Sequence, residues 1–189
     1  EGDGLELPAS SIKRAYVNRN PYSAEFARPG RGRIEVTTRK GTHRRYRGMI
    51  NYLARNSALN ARNPLAPEKA PMNRNIFEAQ LDGPLGARMT FFVAARFNKN
   101  DDAAVVAAIT PGGPLTANIG APERKSYLLG RLDYRFNVAH KLIFRYKFKD
   151  NSYENQNVGG FHLAAQAVES WERENEAQGT ERSEEHTSE

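Results

Sequence analysis

Five stretches of this chain alternate residue by residue between an apolar and a polar side. A period of two is the signature of β-strands with unlike faces, so the alternation limits the chain to sheet structure before anything else is considered. The fifth stretch is the sharpest: Leu142, Phe144, Tyr146 and Phe148 alternate with Ile143, Arg145, Lys147 and Lys149. The fourth sets Leu128, Gly130, Leu132, Tyr134 and Phe136 against Leu129, Arg131, Asp133 and Arg135. In the third, Phe91, Val93, Ala95 and Phe97 oppose Phe92, Ala94, Arg96 and Asn98. The second places Phe77, Ala79 and Leu81 against Glu78, Gln80 and Asp82, and the first places Gly48, Ile50, Tyr52 and Ala54 against Arg47, Met49, Asn51 and Arg55.

Any half-buried antiparallel sheet alternates in this way. The connections narrow the choice. Strands two and three are joined by the short Gly/Pro turn Asp82 to Arg88, and strands four and five by Asn137 to His140. The other links are long, about 20 residues after the first strand and about 30 after the third, against a usual loop of about 4–6. Short turns on one side and long loops on the other are how outer-membrane barrels are strung. An Arg or Lys at the mid-bilayer costs about 2–4 kcal/mol in such a barrel. Arg145, Lys147 and Lys149 must then line a wet or plugged interior, with the Phe/Tyr/Leu row facing lipid. A soluble sandwich would reverse the two environments, and the alternation fits both. The expected fold is all-β, an antiparallel meander forming an open, incomplete part of a barrel.

Pairing in the last hairpin can be anticipated from charge. Setting Asp133 opposite Arg145, with Tyr134 opposite Phe144 and Gly130 opposite Phe148, avoids facing Arg131 with Arg145, which cross-strand repulsion disfavours. Between strands three and four, Asp101 and Asp102 precede the apolar run Ala103 to Ile109, which ends at Thr110-Pro-Gly-Gly113. That reads as a helix N-cap and a stop signal in an outer loop. The long loops and about the last 20 residues are expected to be poorly defined.

The chain of 189 residues has no cysteine, so disulfide frameworks, thiolate metal sites and cysteine nucleophiles are excluded. Its net charge is +6, and the excess sits at one end: Arg28, Arg31, Arg33, Arg39, Lys40, Arg44, Arg45 and Arg47 are accompanied only by Glu35. Such a run could bind phosphates or nucleic acid. It could equally line a polar interior. The aromatic–basic interleaving of strand five does not make a stacking platform, because alternation places rings and cations on opposite faces.

No catalytic, cofactor or metal site emerges from the motifs. Gly30-Arg31-Gly32 lacks the third glycine of a dinucleotide fingerprint. His43, His140 and His162 lie in separate connections without zinc spacing. Asp101 and Asp102 have no histidine partner nearby in sequence. Trp171, Tyr153 and Phe161 suit an aromatic girdle or a ligand-contact loop, the girdle being the commoner use.

The words between the strands resemble a known family. Asn20-Pro-Tyr-Ser-Ala-Glu-Phe-Ala-Arg-Pro-Gly-Arg-Gly-Arg-Ile-Glu-Val-Thr-Thr-Arg-Lys-Gly41 looks like the end of the plug of a TonB-dependent outer-membrane receptor, its strand running from Arg33 to Arg39 with one extra basic residue before Gly41. Arg55-Asn-Ser-Ala-Leu-Asn-Ala-Arg-Asn63, Arg74-Asn-Ile-Phe77, Gly83-Pro-Leu-Gly86, Leu129-Gly-Arg-Leu-Asp133 and Glu154-Asn-Gln-Asn-Val-Gly-Gly-Phe161 resemble the Oar-like branch in the same order. The resemblance implies that residues 1–41 close a plug domain and residues 42–181 begin a transmembrane barrel of the cell outer membrane. It also implies import of a bulky, scarce ligand and partnership with TonB through a segment N-terminal to this one. No enzyme activity, cofactor or nucleic acid is expected, and the ligand is not legible. A surface barrel acting in adhesion or structure, and a soluble basic β-protein binding nucleic acid, are the alternatives. Residues 182–189 resemble the translation of a sequencing adapter and are expected to be non-native. The chain as a whole is expected to be a fragment.

Overall fold

A computed structural model describes residues 8–18, 33–61, 69 and 71–183. It is all-β: two antiparallel sheets and three short 3-10 turns, with no α-helix among the described residues. The smaller sheet pairs β1 (Ile12–Asn18) with β2 (Arg33–Thr38). The larger is an open meander of six strands in sequence order: β3 (Arg47–Asn56), β4 (Asn73–Pro84), β5 (Met89–Thr110), β6 (Gly113–Arg135), β7 (His140–Gln156) and β8 (Val168–Ser183).

The alternating segments lie in β3 to β7, and the two short turns join β4 to β5 and β6 to β7. The second turn is closed by Asn137, whose Oδ1 accepts from the Ala139 and His140 amides at 2.9 and 2.7 Å. Asn side chains favour turns for this reason.

Three expectations fail. First, Ala103–Ile109 is no helix. β5 and β6 continue unbroken past the alternating segments and close at a two-residue turn, with Thr110 opposite Gly113. The capping signal was real chemistry in another setting: Asp102 Oδ1 accepts from the Ala103 amide at 2.8 Å within an extended strand. Second, there is a sixth strand in the sheet. β8 forms along β7 because Glu172, Glu174 and Glu176 meet Lys149 and Lys147 across the ladder, at 2.9, 3.0 and 2.8 Å. Regular structure therefore extends to Ser183, while 184–189 lie outside the described residues.

Third, Arg131 does stand opposite Arg145, with Asp133 opposite Ile143, Tyr134 opposite Leu142 and Gly130 opposite Tyr146. The repulsion is relieved sideways. Arg131 forks onto Asp133 two residues along its own strand, Nε and Nη2 donating at 2.7 and 2.9 Å. Lys141 adds a second cation to Asp133 at 3.0 Å. Arg145 turns the other way and donates from Nη1 to Gln178 Oε1 of β8 at 3.1 Å. Two cations with separate partners can face each other.

Glycine has a packing role where the two sheets meet. A Cβ on Gly83 would strike the ring of Tyr46, and one on Gly41 would strike the Phe91 carbonyl and Thr90. Tyr46 therefore covers a gap in β4 that only glycine leaves. Replacing Gly83 by leucine is expected to cost about 1–3 kcal/mol through overpacking. The double change with Tyr46→Ala should recover most of it, read from denaturant midpoints.

Candidate functional site

The two faces of the six-stranded sheet have opposite character, and the polar one is the more enclosed. On one face, β5 buries Thr90, Phe92, Ala94 and Asn98, β6 buries Tyr127, Leu129, Arg131 and Asp133, and β7 buries Lys149 and Asn151. Asp82 of β4 belongs to the same face and takes Arg47 of β3 at 3.0 Å. Phe92 is 0 % exposed although its nearest cross-strand neighbours, Asp82 and Arg131, are charged. Burial of charge on this scale requires partners. They are supplied within the face, by Arg47–Asp82, Arg131–Asp133–Lys141 and the β7–β8 lysine–glutamate ladder.

The 3-10 turn Ala9–Ser11, just before β1, lies against this inner face. Pro8, Ser10 and Ser11 are buried, and the Ser10 amide donates to Glu78 Oε1 of β4 at 2.8 Å. The small sheet is thereby tied to the inner face of the large one.

The outer face carries Ile50 and Tyr52 of β3, Phe77 and Leu81 of β4, Val93 and Phe97 of β5, Leu128 and Leu132 of β6, and Leu142 and Phe144 of β7, all exposed. Ten such side chains leave roughly 700 Å² of apolar surface, more than the few hundred that soluble monomers usually expose. Along β5 this band runs from Met89 to Phe97, about 25–30 Å of strand at ~3.3 Å per residue. Beyond it come Lys99, Asp101 and Arg124, the last two in an ion pair at 2.5 Å. Aromatic rings stand near both margins, Tyr46, Tyr134 and Phe136 at the short-turn end, and Tyr52, Phe77 and Phe97 at the other. The band thins at β8, which turns Gly179, Ala177 and Asn175 outward.

Past the band the β5–β6 hairpin continues alone. The connection after β7 crosses back to it: Gly160 accepts from the Ala107 amide and donates to the Val105 carbonyl, at 2.7 and 2.8 Å. Asn155 Nδ2 donates to the Gly120 carbonyl at 2.7 Å. This strap occupies β5 backbone groups beyond the reach of β4, and Val106 beneath it is fully buried. The strap needs left-handed backbone at Asn155, Asn157, Gly159 and Gly160.

The residues singled out in the sequence do not converge. His43 lines a cleft near β3, His140 Nδ1 lies 3.2 Å from Glu181, and His162 Nδ1 lies 3.2 Å from Gln166. Among the described residues no group of three metal-ligating side chains forms. Asp101 is held by Arg124 and Lys99, and Asp102 by its neighbour's amide. Gly30 to Gly32 lie outside the described residues. Trp171 stands on the outer face, donating to Asp150 at 3.1 Å beneath Arg173. Tyr153 is on the inner face under Lys125, and Phe161 is exposed in the strap. These three aromatics thus serve different surfaces.

The site that sequence reasoning missed is the cleft between the two sheets, of about 510 Å³, lined by Lys13, Arg39, Lys40, Gly41, Thr42, His43, Arg44 and Arg47. Its 39–47 wall was visible as a basic run. Lys13 was not, because only pairing of β1 with β2 brings it there. No protein-family model, curated protein or solved structure matches the chain.

Proposed function

We propose that this chain is part of a TonB-dependent outer-membrane receptor of the Oar-like kind, with residues 1–41 closing the plug and residues 42–181 opening the barrel. One observation carries the reading: the charged face is enclosed and internally paired, while the Phe/Leu/Val face has no layer over it among the described residues. In water that arrangement is inverted. In lipid it is the ordinary one, since an outward apolar band between aromatic margins, over a polar interior, is how barrels meet a bilayer. The collinear resemblance of the connecting segments supports the same assignment, as does a small sheet tied to the inner face. In this reading the receptor imports a bulky ligand with energy from TonB, and the short turns face the periplasm.

Trp171, the single tryptophan, provides a test. It lies level with the Lys99–Asp101–Arg124 margin, so in bilayers its fluorescence should be quenched more by bromines near the headgroup than by bromines at the chain ends. Insensitivity to both would remove the membrane assignment. Fractionation of the native protein should recover it with the outer membrane, and recovery from cytosol would end the reading. Loss of TonB should abolish ligand uptake by cells carrying it. Uptake that persists would leave a barrel of another function.

A further inference from the structure

We propose that the basic cleft between the two sheets is a binding site for a compact phosphate-bearing anion. Its lining comes from three segments: Lys13 in β1, Arg39 and Lys40 just after β2, and His43, Arg44 and Arg47 around the start of β3. Among the described residues no carboxylate lines it. Arg47 is committed to Asp82 at 3.0 Å, but Lys13, Arg39, Lys40 and Arg44 form no ion pair among the described residues. Elsewhere the chain behaves differently, since Arg131, Lys141, Lys147 and Lys149 each meet an acid. Cations gathered without counter-charges repel one another, and an anion held between them removes that cost.

Two backbone features hold the arrangement. The β1–β2 register slips between Ile12 and Arg14, which leaves Lys13 as the extra residue of a bulge. Bulges re-aim side chains, and this one coincides with the cleft. On the opposite wall Gly41 is packed so closely against Phe91 and Thr90 that no side chain fits there. That contact pins the 40–44 turn to β5. The walls are thus positioned by packing and not by a flexible tail.

The chemistry suits phosphate. Guanidinium groups bind phosphate oxygens bidentately, and lysines act as point charges beside them. The volume of about 510 Å³ accommodates more than one phosphate. A nucleic-acid strand fits less well, because it needs rings beside the cations. No Phe, Tyr or Trp lines the cleft among the described residues, and Tyr46, close by in sequence, is packed over Gly83 instead. A soluble diphosphate and an anionic lipid headgroup share the favoured chemistry. The proposal stands whether or not the chain is a receptor.

The test uses the full chain in an uncharged, phosphate-free detergent, titrated at low ionic strength with pyrophosphate and with short-chain phosphatidylglycerol below micelle formation. Saturable binding of either probe, weakened by salt, is expected. Preference between the two identifies the source. The double variant Lys40→Ala/Arg44→Ala should weaken binding about tenfold or more, whereas Arg88→Ala, at the exposed β4–β5 turn, should leave it unchanged. Gly41→Ala removes no charge and should still weaken binding, with circular dichroism checking that the sheet persists. Three results would overturn the site: no saturable binding of either probe, equal losses from the Arg88 and Lys40/Arg44 variants, or binding of a single-stranded oligonucleotide alone.

Discussion

Replacing Asp133 by alanine should cost the folded sheet about 3–5 kcal/mol, the range for removing one partner from a buried ion pair. Asp133 and Arg131 have side chains only 4 % and 9 % exposed, and Lys141 leans on the same carboxylate. Without it, Arg131 confronts Arg145 across the ladder with nothing to turn towards. The measurement is the denaturant midpoint of the chain folded in bilayers. Arg131→Leu combined with Asp133→Leu should restore most of the loss, because replacing a whole buried pair by apolar groups is often neutral. A loss below about 0.5 kcal/mol from Asp133→Ala would mean that the three groups are fully hydrated and do not set the register.

The second large effect is expected on the other face. Leu128 lies near the middle of the outer apolar band, between Ala95 and Phe148. In hydrocarbon, Leu128→Arg should destabilise by about 2–4 kcal/mol. In water, at a site already 36 % exposed, the same change would stay near 0.5 kcal/mol. Thr116→Arg, on the same face of β6 but beyond the band, is the matched control and should be close to neutral in both settings. Equal, small effects at the two positions would show that no lipid covers Leu128.

The strands with large side chains on one face and charges on the other were legible as a sequence because the period of two is strongest there. Leu142 to Lys149 and Leu128 to Phe136 fall on the faces their alternation implies. The long β5–β6 hairpin was hidden for a physical reason. Ala103, Ala104, Ala107 and Ala108 carry almost no face preference, and Val106 is buried by the strap, so the run loses its alternation and imitates a helix. β8 was obscured by its acidity. The evenly spaced glutamates at 172, 174 and 176 are a strand signal only once Lys147 and Lys149 are known to lie across from them. The register failed because pairwise repulsion was weighed without the neighbours that absorb it, Asp133 along the strand and Gln178 on the unforeseen β8. The basic cleft was half visible. A run of arginines is read easily, but the bulge that brings in Lys13 depends on how two distant segments pair.

The unequal strand lengths have one more consequence. β5 and β6, of 22 and 23 residues, outreach every neighbour, and their strap fastens them into a stiff mast with Pro111 and Gly112 at its tip. Among the described residues nothing reaches further on that side than this mast. Its tip can therefore vary in length or residue type without disturbing either the oily belt or the paired charges below.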